Sequence, residues 1–121
     1  VMIACGIGIT PMMPHLRNSS SKKITLFYSS RTQKDMLFRN ELDRIQKDNP
    51  SINIVYIITR EKSADTCENR RFDAEMLKKY VQKPENKKYL ACGPVELRKN
   101  MAEVFEKLKI PAENLKIECW S

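Results

Sequence analysis

The 121-residue chain carries 22 Lys plus Arg against 15 Asp plus Glu, a formal net charge of +7, and a polymer of that length builds one hydrophobic core rather than two. With 41% hydrophobic and 31% charged residues it belongs among globular rather than disordered chains, and no apolar run nears the roughly 18 residues that span a bilayer. Cys5, Cys67, Cys92 and Cys119 lie too far apart for a CxxC pair or a disulfide scaffold, which fits a reducing, intracellular, cytoplasmic setting.

The chain opens on Val1-Met2-Ile3-Ala4-Cys5, an apolar run of strand length. With no initiator Met ahead of it, that strand leads us to expect a fragment of a longer protein. Gly6-Ile7-Gly8-Ile9 follows, then Thr10-Pro11, a good N-cap and a favoured first helical residue, so a helix is expected from there to about Asn18. Ser19-Ser20-Ser21 is a polar turn, and residues 23–29 are β-rich, a second strand. From 33 to 47 the pattern turns helical, with Phe38, Leu42 and Ile45 at i, i+4, i+7 and Asp35 near the start. Asn49-Pro50 stops it.

Residues 52–58 form a third strand and 61–71 a polar loop. Asp73 can cap a helix whose Phe72, Met76, Leu77, Tyr80 and Val81 share a stripe. Tyr89 to Cys92 is a fourth strand. A helix with Leu97, Met101, Val104, Phe105 and Leu108 on one face follows, and residues 115–119 make a fifth strand. Strict β-α alternation predicts an α/β fold, a doubly wound five-stranded parallel sheet with helices on both faces. In such a sheet ligands bind beyond the carboxyl ends of the strands, where the winding reverses. For order 3-2-1-4-5 that crevice lies between strands one and four.

Glycine sharpens this expectation. There are only three, where average usage of about 7% gives roughly eight, and all three fall at that crevice: Gly6, Gly8 and Gly93. Glycines let the main chain approach a ligand, and a helix start offers unpaired N–H groups, so a diphosphate is the natural guest. A tight strand-to-helix turn holding no ligand is the alternative for this loop alone.

The pair of loops, Gly6-Ile7-Gly8-Ile9-Thr10-Pro11 and Cys92-Gly93-Pro94, resembles the pyridine-nucleotide-binding domain of the ferredoxin–NADP reductase superfamily. Ser29-Ser30-Arg31-Thr32, the segment from Asp35 to Leu42, and Thr59-Arg60-Glu61 are similar to the same family, so the resemblance spans essentially the whole chain. It implies one NAD(P)-binding domain over 1–121, working with an FAD-binding barrel that precedes it in a longer flavoenzyme; the barrel's motif does not occur in these residues. By the same resemblance Gly6, Ile7, Gly8, Thr10 and Pro11 would hold the diphosphate and ribose. Cys92, with Gly93 and Pro94, would lie beside the nicotinamide C4, from which hydride leaves for the flavin. Glu118 and Trp120 match the acid and aromatic that close the family's fifth strand, the aromatic covering the flavin; Cys92 and Glu118 are thus the catalytic candidates.

A carboxylate after strand two favours NADH, and arginines favour the 2′-phosphate of NADPH. Ser30, Arg31, Thr59, Arg60 and Arg71 lean to NADPH over NADH. The remaining lysines are expected on solvated faces, with docking of an acidic electron carrier such as ferredoxin as the functional alternative. Nucleic acid is disfavoured because no aromatics interleave with the basic residues. His15, the sole histidine, has no companions at zinc-like spacing, so no metal is expected. A non-catalytic nucleotide-sensing or partner-binding module of the same fold is the rival reading.

Overall fold

The computed structural model describes residues 1–18, 22–62 and 67–120; the turn expected at 19–21, part of the loop expected at 61–71 and the Trp120 side chain lie outside that description. Strands and helices alternate: β1 (Met2–Cys5), a 3₁₀ turn (Gly6–Met12) leading into α1 (Met13–Arg17), β2 (Ile24–Ser30), α2 (Arg39–Asp48), β3 (Ile52–Ile58), α3 (Ala74–Tyr80), β4 (Tyr89–Pro94), α4 (Glu96–Leu108) and β5 (Leu115–Trp120). The strands form one sheet in the order β3-β2-β1-β4-β5, and every pairing is parallel. Both match the expectation. No helix among the described residues is long and apolar enough to cross a membrane.

Successive side chains of a strand point to opposite faces, and two cores result. On one face Ile3, Phe27, Val55, Ile57 and Ala91 pack under α3 and α4 through Met76, Leu77, Leu97, Met101 and Phe105. On the other, Ala4, Leu26, Tyr28, Ile54 and Ile58 pack under the 3₁₀ turn, α1 and α2 through Ile9, Met12, Met13, Leu16 and Leu42. The second layer covers β1, β2 and β3 but leaves much of β4 and β5 bare: Leu90 is half-buried, and Lys116 and Glu118 are exposed.

Three expectations need correction. The chain does not wait until Thr10-Pro11 to turn. It enters the 3₁₀ segment at Gly6, and no side chain caps either that segment or α1. Gly6 adopts φ +57°, a left-handed conformation that glycine takes without strain, and this bends the backbone directly off β1. Pro11 falls inside the 3₁₀ segment, and Pro14 supplies the proline of α1's first turn. The expected helix over 33–47 is broken: a 3₁₀ turn covers Gln33–Asp35, and α2 starts only at Arg39. The cause is Tyr28, whose hydroxyl accepts the Leu37 N–H at 2.8 Å, with Phe38 then reversing at φ +62°. Finally, β4 runs on through Gly93 and Pro94, because β5 stays paired with it as far as Trp120.

Asp73 behaves as expected, its carboxylate accepting the Met76 N–H at 2.8 Å and the Arg70 guanidinium at 2.8 and 2.9 Å. Asp73→Ala should cost about 1 kcal/mol, the usual worth of an N-cap, measured as a lowered urea midpoint at unchanged slope. Along the outer rim of β3, Ile52 N–H donates to Asn49 O at 3.0 Å, Ile54 N–H to Gln46 Oε1 at 2.5 Å, and Ile58 N–H to Glu68 O at 2.9 Å.

Candidate functional site

β1 and β4 are neighbours, with Ala4 paired to Cys92, so the turn leaving β1 meets the end of β4. Each of the three glycines has its own reason there. Gly6 needs its left-handed backbone, and a β-carbon on it would meet nothing within 4 Å; it faces open space. A β-carbon on Gly8 would fall 2.2 Å from the Cys92 carbonyl oxygen, and one on Gly93 would fall 3.0 Å from both Cys5 Cβ and Leu97 Cδ2. Gly6, Ile7, Thr10 and Pro11 are exposed while Gly8 is buried. The first N–H groups of a 3₁₀ turn have no acceptor inside it, so Gly6 and Ile7 carry the donors available to an anion.

Cys92, paired with Glu118, shares a sheet face with it. Burial, helped by the Glu118 and Cys119 charges, pushes the Cys92 thiol up, so it stays protonated and is a poor nucleophile at neutral pH. Cys5, on the opposite face, is pushed up to about 12, chiefly by burial. A cleft of about 520 Å³ begins between Pro11, Met12, His15, Cys92 and Glu118 and runs down the bare face of β4 and β5 to Asn114. It therefore continues away from Gly6 and Ile7 rather than over them. Trp120 ends β5 opposite Pro94. Among the described residues no group of three or more His, Cys, Asp or Glu is placed to hold a metal ion.

At the carboxyl ends of β2 and β3 the ladder continues: Thr59 N–H donates to Ser30 O at 3.0 Å and Arg60 N–H to Arg31 O at 2.9 Å. That sets Arg31 and Arg60 side by side, both exposed. Exposed Arg71 precedes α3, and none of these three has an ion-pair partner among the described residues. The nearby acids are engaged elsewhere. Asp35 accepts Thr32 Oγ1 at 3.0 Å, and Glu61 accepts the Gln33 N–H at 2.5 Å. Ser30 is buried and donates its hydroxyl to Thr32 O at 2.9 Å, so it braces this loop from within.

A family model described as the oxidoreductase NAD-binding domain matches residues 2–103. The chain belongs to that family. As an oxidoreductase NAD-binding domain it is 31% identical over 101 residues to "NADH-cytochrome b5 reductase 2" of Mycosarcoma maydis, covering 77% of this chain and 29% of the relative. It is 28% identical over 124 residues to "Nitrate reductase [NADPH]" of Emericella nidulans, covering 95% of this chain and 14% of the relative. Among solved structures, the cytochrome b5 reductase domain of Ulva prolifera nitrate reductase superposes with a TM-score of 0.86 at 25% identity, over 97% of this chain and 48% of that one. The NAD-binding domain thus spans less than half the length of each of these proteins.

Sequence reasoning missed three working parts. Tyr28 holds the loop after β2 through its hydroxyl, and the only hint was a phenol in the middle of an apolar strand. Glu61 reaches back to a backbone N–H, for which no local signal exists. The bare face of β4 and β5 could have been anticipated from Lys116 and Glu118, which alternate with apolar residues in β5, whereas β3 is apolar almost throughout.

Proposed function

We propose that this chain presents NADPH, in preference to NADH, to a flavin held by another part of a longer reductase. The observation that carries the nucleotide preference is the pair Arg31 and Arg60, without carboxylate partners among the described residues, while Asp35 and Glu61 are turned to other donors. Two guanidinium forks match the geometry and charge of a phosphate monoester, and a free ribose hydroxyl gives them nothing to pair with. Bound reduced nicotinamide supplies the hydride. This chain's residues do the positioning.

In this reading the Gly6 and Ile7 N–H groups take the diphosphate, Thr10 sits toward the ribose, and Cys92 backs the pyridine ring as a neutral, protonated wall. Glu118 borders the same pocket from β5. The flavin approaches from the bare side of β4 and β5, and the large apolar side chains of Ile7, 64% exposed, and Val95, 50% exposed, stand just after β1 and β4 and await cover. Relatives named as cytochrome b5 reductases support a cytochrome b5-type one-electron carrier rather than ferredoxin as the onward acceptor.

Titration of the chain by calorimetry with 2′-phospho-AMP and with AMP tests the nucleotide assignment. The phosphorylated ligand should bind at least about tenfold more tightly, as expected of charge-assisted hydrogen bonds at an exposed site, and the gap should shrink with added salt. Equal affinities would remove NADPH from the proposal.

A further inference from the structure

We propose that Gly8 is a positioning residue for hydride transfer, acting through Cys92; the proposal rests on the functional reading above. Gly6 and Gly8 stand two residues apart in opposite surroundings. Around Gly6 there is open space. A β-carbon on Gly8 would lie 2.2 Å from the Cys92 carbonyl oxygen, 2.7 Å from its carbonyl carbon and 3.2 Å from the Gly93 nitrogen. These are backbone atoms of β4, which is laddered to β1 on one side and β5 on the other, so they cannot swing aside as a side chain would. Gly8 does not have the left-handed φ of Gly6; contact, not conformational freedom, is what glycine supplies here.

The turn after β1 therefore rests directly on the Cys92 peptide. Its height above that peptide sets the slot between the diphosphate donors and the wall behind the pyridine ring. Ordinary van der Waals contact begins at 3.4 Å, so a methyl group at Gly8 has to lift the turn by about 1 Å, a misplacement that can slow a reaction about 100-fold. The adenosine end lies farther from this contact, because Arg31 and Arg60 follow β2 and β3, on the side of β1 away from β4.

The test is Gly8→Ala in the intact flavoprotein that carries this domain. Flavin reduction at saturating NADPH, followed by stopped flow, should fall about 100-fold while KM for NADPH changes little, and alkylation of buried Cys92 by iodoacetamide should accelerate relative to half-buried Cys67. Ile9→Val provides a milder version that keeps the fold. Ile9 is fully buried and anchors the turn in the same core that holds Cys92, and losing one methyl should give the same split at several-fold size. If KM rises while the saturated rate holds in either variant, Gly8 is a diphosphate holder and the proposal falls. It falls equally if Cys92 stays as protected as in the parent protein. A parent flavin that NADPH and NADH both fail to reduce sinks the functional reading instead, and the alkylation rates then decide the Gly8–Cys92 contact alone.

Discussion

In the longer reductase proposed above, Arg60→Ala should raise KM for NADPH by about 10- to 30-fold and leave KM for NADH within about twofold. The size follows from losing a charge-assisted hydrogen bond to phosphate, discounted because the site is open to water. The selectivity follows from position. Arg60 donates its backbone N–H to Arg31 O at 2.9 Å, a contact alanine retains, so the ends of β2 and β3 stay in register and only the guanidinium is lost. Arg60→Lys keeps the charge without the planar fork and should fall between the two. Steady-state kinetics with both nucleotides checks this, and an equal rise for both would show that Arg60 supports the fold or the diphosphate rather than the 2′-phosphate.

The largest stability loss is expected at Phe27. It is fully buried in β2, with ring centroids 5.0 Å from Phe72 and 5.9 Å from Tyr80. It joins the sheet both to the segment entering α3 and to the end of α3. Phe27→Ala removes that bridge and leaves a void among residues that already pack against one another, a change worth about 3–5 kcal/mol. A domain of this size has about 5–15 kcal/mol in total, so the variant should be marginal at room temperature, with its urea midpoint cut by about a third or more. A loss below 1 kcal/mol would mean that α3 is not docked as described.

The parallel sheet was legible because strand-length apolar runs alternate with helical stripes along the chain, and the order 3-2-1-4-5 fits because it brings together the two bends that hold all three glycines. Asp73 was legible as a cap because its role is local. What could not be read depends on contacts between distant residues. Nothing near Gly6 says that it will turn left-handed and start a 3₁₀ segment. The apolar stripe of Phe38, Leu42 and Ile45 concealed a break that exists only because the Tyr28 hydroxyl reaches Leu37. Both Gly6 and Gly8 were expected to make room for a ligand. Their surroundings separate them, since the space at Gly8 is filled by a peptide of β4, which is close only in the folded chain.

The hydrogen bonds along the outer rim of β3 bear on how copies of this domain behave in a concentrated solution. A sheet edge aggregates by offering its unpaired N–H and C=O groups to a strand from another molecule. Asn49, Gln46 and Glu68 already occupy the outward N–H groups of Ile52, Ile54 and Ile58, so this edge has little left to template growth. The opposite edge is β5, where Lys116 and Glu118 stand exposed as gatekeepers, and any edge-to-edge oligomer of the domain has to nucleate there.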